Sequence, residues 1–257
     1  MNNNRNGIII MAGGLGKRMR STIPKVLHLF HNIPMLIRII REAKKLNSNK
    51  ILIVVGKYKD IIKKTIIEWE KNLNGLHFVI QDPANGTGHA IQSCVPDIKN
   101  YNLSQVLILN GDNPLIKSET MIKMFDKLNE KNNCCIMTTY LDKPHGNGRI
   151  ILDENRNFNK IIEEKDCNEE EKKIDLVNSG LYCFNSHVLV DNIMKLNNNN
   201  AQNEYYLTDV MEIIKNNTKT NIDYIIHPKN KQYELIGVNT KEHLEEFERD
   251  ALNHNWV

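Results

Sequence analysis

The chain has 257 residues, with 34 Lys or Arg against 31 Asp or Glu, so its formal net charge is +3. This near balance argues against a dedicated nucleic-acid-binding protein, which would carry a clustered basic excess. The length is enough for one large α/β domain or two small ones without disulfides, and no run approaches the roughly 18–20 apolar residues that span a membrane.

The first half of the chain alternates short apolar runs with amphipathic segments. Strands are predicted at 7–12, 51–55, 77–80 and 106–109. Helices are predicted at 35–46, 59–70, 88–94 and 118–128. Strands that alternate with helices of this length predict βαβ units and a mostly parallel sheet with right-handed crossovers.

The second half is richer in strands and continues without a Pro-, Gly- or Ser-rich linker. Its strands are predicted at 135–141, 149–152, 159–162, 181–184 and 223–226. Its helices are predicted at 187–196, 208–215 and 240–253. We therefore expect one domain over 1–257, with a nucleotide-binding half at about 1–133 and a substrate-facing half at about 134–257.

The cysteines and the amino terminus predict a cytoplasmic protein. The five cysteines are an odd number and form no CxxC pair, which is typical of reduced thiols and not of a zinc site or a disulfide framework. The first residues lack the apolar stretch of a signal peptide.

A glycine-rich loop follows the first predicted strand, where residues 11–19 are MAGGLGKRM. Small residues allow backbone N–H groups to approach an anion closely, and Lys17 and Arg18 add positive charge. The Walker A motif is excluded because Arg18 follows Lys17, and the dinucleotide fingerprint is excluded because Met19 stands at its third glycine. This second exclusion disfavours a dehydrogenase. A plain tight turn between strand and helix is the alternative.

Two charged residues near predicted strand ends are candidates for phosphate chemistry. Lys25 follows Pro24 shortly after the glycine loop, and it is either a solvated surface residue or a mobile charge over a triphosphate. Asp112 ends an apolar strand at the sheet edge where α/β proteins bind ligands, so it is either a turn former or a hard oxygen ligand for Mg²⁺.

The glycine loop followed by PKVLH at 24–28 resembles the opening of the sugar-nucleotide pyrophosphorylases, specifically the uridylyltransferase domain of bacterial N-acetylglucosamine-1-phosphate uridylyltransferase. That family usually has LAAGxGTRM followed by PKxLH, so Gly13 and Lys17 are departures. Further similar blocks follow in the family's order over about residues 7–250. They are Gln81 with GTGHA at 86–90, NGDNPL at 110–115, GNGRI at 146–150, EEKD at 163–166, NSGLY at 178–182, NAQNEYYLTD at 200–209 and GVN at 237–239. Asn110 and Asn147 stand where the family has an aromatic residue.

The resemblance implies a Rossmann-like nucleotide-diphospho-sugar transferase fold, with a mixed, mostly parallel sheet flanked by helices. It implies a Mg²⁺-assisted nucleotidyltransferase that makes UDP-N-acetylglucosamine and pyrophosphate from UTP and N-acetylglucosamine-1-phosphate. Arg18 and Lys25 are the implied catalytic residues, and Asp112 and Asn239 the implied metal ligands. The implied nucleotide-binding residues are Met11, Ala12, Gly13, Gly14, Gly16, Gln81, Gly86, Thr87 and Gly111. The implied sugar-binding residues are Gly148, Glu163, Asn178, Glu204, Tyr206 and Thr208.

Several alternatives stay open beside these roles. Tyr205 and Tyr206 could pack in the core, and Asn239 could cap a helix in addition to holding a metal. The protein could be a pyrophosphorylase for another sugar-1-phosphate or nucleotide, or a catalytically silent sugar-nucleotide-binding module. We expect no left-handed β-helix domain of the kind that follows in the bifunctional bacterial enzymes, and neither a nucleic-acid nor a membrane partner. The oligomeric state is not predicted.

Overall fold

The computed structural model describes residues 5–128, 132–218 and 222–257. Its strands are β1 Asn6–Met11, β2 Leu29–Phe30, β3 Ile33–Pro34, β4 Lys50–Val55, β5 Leu76–Ile80, β6 Gln105–Asn110, β7 Cys134–Tyr140, β8 Arg149–Leu152, β9 Phe158–Ile162, β10 Leu176–Asn185 and β11 Asp223–Ile226. Its helices are α1 Met35–Lys44, α2 Lys59–Trp69, α3 Thr87–Gln92, α4 Val95–Asn100, α5 Ser118–Lys127, α6 Ser186–Ile193, α7 Asp209–Thr218 and α8 Lys241–Asn253.

The main sheet has the strand order β11-β7-β10-β6-β1-β4-β5. Six of these seven strands run in the same direction, and β10 alone is antiparallel to its neighbours β6 and β7. The hairpin β8–β9 joins the sheet through a single pairing of Arg149 with Val177 on β10. The prediction of a mixed, mostly parallel sheet flanked by helices is confirmed.

Alternating side chains of the sheet form two apolar cores, one on each face. On β1, Ile9 packs into the core that includes α3, α4, α6 and α7, whereas Ile8 and Ile10 pack into the core that includes α1, α2 and α5. Because successive side chains of a strand point to opposite faces, a strand covered on both sides is a continuous apolar run, as GIIIM is.

Helix α8 covers a third, smaller apolar cluster next to the glycine loop. Phe247 and Ala251 of the helix are buried in the same cluster as Met19 and Val238. Met19 belongs to the 3₁₀ turn that follows the loop, and Val238 directly precedes Asn239. The cluster therefore fixes two distant chain segments against one helix.

Four elements differ from the sequence prediction, and two of them are the two-residue strands β2 and β3, which were not predicted. Helix α4 was not predicted, and it begins with Pro96 in its first turn, where a missing N–H costs no hydrogen bond. Strand β10 begins at Leu176 and not near residue 181, because its polar first half is paired with β7 and its register shifts between Asn178 and Tyr182. No helix within the described ranges is long and apolar enough to cross a membrane.

Candidate functional site

One cleft of about 640 Å³ lies at the carboxyl ends of the parallel strands. The residues that follow β1, β5, β6 and β9 contribute to its walls, so loops that are distant in the sequence meet there. This is where open α/β sheets place their ligands. All of the predicted site residues line the cleft except Ala12 and Tyr206.

The glycine loop forms one end of the cleft. Gly14 is exposed, and a Cβ there would meet no atom within 4 Å. Gly16 has a φ of +59°, and a Cβ there would lie 2.8 Å from Lys25 Cβ. The loop therefore needs glycine at 16 to keep its backbone against the segment that carries Lys25.

Four polar side chains meet in the middle of the cleft. The ammonium of Lys25 forms a short ion pair with Asp112 Oδ2 and lies 3.3 Å from Asn239 Oδ1. Arg18 Nη2 donates to the same Asn239 oxygen over 2.9 Å. A carboxylate and an amide oxygen thus face one cation, while the glycine loop lies beside them.

Backbone contacts around Asp112 hold Asn239 in the cleft. Val238 N donates to Asp112 O over 2.9 Å, and Asn113 Nδ2 donates to Leu235 O over 2.9 Å. The interpretation of Asn239 as a helix cap is wrong, because Thr240 caps α8 and its Oγ1 accepts from His243 N over 3.1 Å. The Asn239 side chain points instead to Lys25 and Arg18.

The two predicted metal ligands, Asp112 and Asn239, provide a carboxylate and an amide oxygen. Within residues 5–128, 132–218 and 222–257, no group of three or more His, Cys, Asp or Glu could hold a metal ion. Mg²⁺ binds through one or two protein oxygens and completes its shell with water and substrate phosphates. Asp112 and Asn239 each direct one oxygen at the ammonium of Lys25. These two oxygens therefore fit a Mg²⁺ ion that takes its other ligands from water and phosphates.

The segment at 81–88 forms one wall of the cleft. Gln81 is buried, and its Nε2 donates to Gly86 O over 2.9 Å. Gly86 has a φ of +103°, and a Cβ there would lie 2.6 Å from Tyr205 O, so a side chain would collide with the backbone of the segment opposite. Three hydrogen bonds join the two segments. Gly88 N donates to Tyr205 O over 2.7 Å, Tyr205 N donates to Asn85 O over 2.9 Å, and Leu207 N donates to Thr87 Oγ1 over 3.0 Å.

Gly148, Glu163, Asn178 and Thr208 surround the other end of the cleft. Thr208 Oγ1 donates to Glu163 Oε1 over 3.0 Å. Burial raises the pKa of Glu163, and Asp166 raises it further, while the hydrogen bond from Thr208 opposes the shift. Asn178 N donates to Gly148 O over 2.9 Å, and Asn178 Nδ2 donates to the Tyr182 hydroxyl over 2.6 Å. A carboxylate, an amide and backbone groups are suitable partners for sugar hydroxyls.

Two predicted site residues do not line the cleft. Ala12 is a core residue, and its N–H donates to Val54 O over 2.9 Å. Tyr206 is buried, its hydroxyl accepts from Gln202 Nε2 over 2.9 Å, and burial raises its pKa to about 12. The alternative of core packing therefore describes Tyr206.

The cleft also includes residues that the sequence did not single out. Among them, Gly180 packs against Asn110, and Leu15 is an exposed apolar residue of the glycine loop. Gly180, Gly237 and Leu15 each lie inside a motif block, so adjacency in those blocks could have indicated them. Ala84 and Leu235 have no such signal.

Known proteins are similar to this chain in sequence and in fold. A family model described as nucleotidyl transferase matches residues 8–249. A protein of Acanthamoeba polyphaga mimivirus, described as a probable UDP-N-acetylglucosamine pyrophosphorylase, is 45% identical over 242 residues, which are 94% of both chains. The bifunctional protein GlmU of Prochlorococcus marinus is 38% identical over 255 residues, which cover 97% of this chain and 54% of that one. The chain thus spans about half the length of the bifunctional relative.

A solved structure from Bacillus anthracis, provisionally described as a glucose-1-phosphate thymidylyltransferase, has the same fold. It superposes with a TM-score of 0.72 and covers 96% of this chain and 95% of its own. Its sequence identity is 20%, so the likeness concerns the fold alone.

Proposed function

The chain belongs to the nucleotidyl transferase family, and we propose that it transfers the uridylyl group of UTP to N-acetylglucosamine-1-phosphate, with pyrophosphate as the second product. The observation that carries the proposal is the position of Lys25, Asp112 and Asn239 in one cleft, between the glycine loop and the loops around Glu163. The similarity to the mimivirus protein supports UDP-N-acetylglucosamine as the product.

The difficulty in this reaction is to bring two polyanions together. The phosphate oxygen of the sugar phosphate is already an anionic nucleophile at neutral pH, so no strong general base is needed. This oxygen forms a bond to the α-phosphorus of UTP, and the bond from that phosphorus to the bridging oxygen of pyrophosphate breaks. Catalysis is then positioning and charge stabilisation.

We assign these tasks to the groups that line the cleft. The Gly13–Gly16 amides and Arg18 bind the triphosphate, and Lys25 neutralises charge at the attacked phosphorus and the sugar phosphate. Met11 and Gly111 complete the floor beneath the nucleotide. Gln81, Gly86 and Thr87 bind uracil, because an amide side chain and backbone groups match its alternating carbonyl and N–H groups. Gly148, Glu163, Asn178, Glu204 and Thr208 bind the sugar.

Asp112 and Asn239 are the proposed ligands of Mg²⁺. The bound ion would supply charge neutralisation between the two phosphates. The ammonium of Lys25 contacts both of these oxygens, so it stands beside the proposed ligands and can neutralise phosphate charge there. Chelation is expected to abolish turnover, and restored Mg²⁺ to recover it.

We also propose a cytoplasmic location and no nucleic-acid or membrane partner. All five cysteines are buried free thiols, which suits a reducing compartment.

Pyrophosphate release tests the proposal directly. The purified protein is assayed with Mg²⁺, with each of the four common nucleoside triphosphates and with N-acetylglucosamine-1-phosphate, glucose-1-phosphate and galactose-1-phosphate. We expect UTP with N-acetylglucosamine-1-phosphate to give the highest kcat/KM. A different preferred pair would make the protein a pyrophosphorylase of another specificity, and UDP-sugar binding in calorimetry without turnover would make it a silent binding module.

A further inference from the structure

The side chain of Arg149 is the most deeply buried guanidinium in the described part of the chain, and its position is unusual. Only 1% of it is exposed, although it directly follows Gly148 of the cleft. A buried charge is costly unless it is paired and hydrogen-bonded, so its partners indicate what the residue does.

The partners of Arg149 come from two loops that border the sugar end of the cleft. Its Nη1 lies 2.7 Å from Glu164 Oε2 and donates a short hydrogen bond to Asn147 O. Its Nη2 donates to Lys172 O over 3.1 Å. The other Glu164 oxygen lies 2.9 Å from His145 Nδ1, so the 145–149 loop contacts this carboxylate twice. Burial raises the pKa of Glu164, but the contact and charge of Arg149, together with the Gly146 backbone and His145, outweigh it, so the net shift of the pKa is downward.

The backbone of Arg149 lies at the junction of three strands. It pairs with Ile162 on β9 and with Val177 on β10. The residues next to these three along the chain are Gly148, Glu163 and Asn178, which are the proposed sugar-binding residues. The side-chain bonds of Arg149 then hold Asn147, on the other side of Gly148, and Glu164, on the other side of Glu163.

We infer that Arg149 and Glu164 are a pair of positioning residues for the sugar pocket, an inference that rests on the proposed function. Neither side chain is among those that line the cleft. Their ion pair fixes the distance between the Gly148 backbone and the Glu163 carboxylate, two groups on separate loops that must act on the same sugar. The side-chain partners of the pair lie at 145–147 and 172, away from the glycine loop and the segment at 81–88, so we expect its loss to act mainly on sugar binding.

The test is a comparison of Michaelis constants for the two substrates. In Glu164→Ala we expect the KM for N-acetylglucosamine-1-phosphate to rise roughly 5- to 20-fold, the size that a displaced binding group produces, while the KM for UTP stays within twofold. Glu164→Gln keeps one acceptor for Arg149 and should fall between wild type and Glu164→Ala. Glu154→Gln, an exposed carboxylate in the turn of the same hairpin, is the matched control.

The outcomes separate the inference from the proposed function. If wild type has no activity with any sugar-1-phosphate, the proposed function fails. If wild type is active and Glu164→Ala leaves the sugar KM unchanged, or raises both constants equally, the positioning role is refuted. Arg149→Lys provides a second measurement, because it keeps the charge and loses the paired donors, and it should shift the same constant.

Discussion

The carboxylate of Asp209 gives a pH-dependent stability that can be calculated from the structure. Asp209 begins α7, and its pKa is raised from the ordinary value of 3.8 to about 6 by burial and by the charges of Glu163, Glu212 and Asp166. Well below the unfolded pKa of 3.8, the group is protonated in both the folded and the unfolded chain, and it does not affect the free energy of unfolding. As pH rises through about 4 to 6, the unfolded chain releases its proton first, so the free energy of unfolding falls.

The substitution Asp209→Asn removes this titration without changing the shape of the side chain. A shift of about two pKa units corresponds to about 3 kcal/mol at pH 8. The carboxylate is partly exposed and lies at the helix amino terminus, where a negative charge is favourable. For both reasons we expect Asp209→Asn to gain only about 1 kcal/mol in the free energy of unfolding. We therefore expect Asp209→Asn to be more stable than wild type by about 1 kcal/mol at pH 8, and this difference to be clearly smaller at pH 4.

Urea unfolding followed by circular dichroism at pH 4, 5, 6, 7 and 8 measures this difference. Asp126→Asn, the same substitution at an exposed position on α5, is the matched control. A constant gain at every pH would mean that the amide stabilises the helix for a reason other than charge. No gain at pH 8 would refute the electrostatic argument.

Three further predictions concern the cleft. Asp112→Ala should lose roughly two to four decades of kcat, about 3–5 kcal/mol of transition-state stabilisation, with an unchanged circular dichroism spectrum; activity within threefold of wild type would contradict its role. Lys25→Ala should lower kcat more than it raises the KM for UTP, because its charge matters most as phosphorus is attacked; steady-state kinetics showing the reverse would make it a binding residue only. Gly86→Ala should raise the KM for UTP and lower the melting temperature more than the control Gly75→Ala does. Both glycines have a positive φ, but only at 86 would a Cβ collide with Tyr205. Equal effects of the two substitutions in kinetics and thermal melts would show that the collision is relieved.

The fold followed from the period of the apolar residues. A run such as ILIVV at 51–55 and the spacing of Leu36, Ile39, Ile40 and Ala43 each have one structure that buries them well, and these elements lie where they were predicted. Strand β10 was predicted too short because Asn178, Ser179 and Gly180 interrupt its apolar pattern. Pairing with β7 and β8 extends it, and such pairing is a tertiary effect that a local pattern does not contain.

The cleft was predicted in outline because motif blocks follow strand ends, and strand ends of a parallel sheet share one edge. Contacts between the blocks could not be predicted from the sequence, because they depend on how distant segments pack. The Tyr206 hydroxyl is held by a hydrogen bond from Gln202, which the local pattern does not contain. Helix α8 begins one residue later than predicted, so its cap is Thr240 and not Asn239. The burial of Arg149 depends on Glu164, which is separated from it by a hairpin.

The hydrogen bonds between residues 85–88 and 205–207 join two walls of the cleft. Asn85 and Gly88 are held by Tyr205, and Thr87 is held by Leu207, so neither chain segment can move outward without pulling the other. The two segments therefore move as one unit, and a ligand that orders one of them also orders the other.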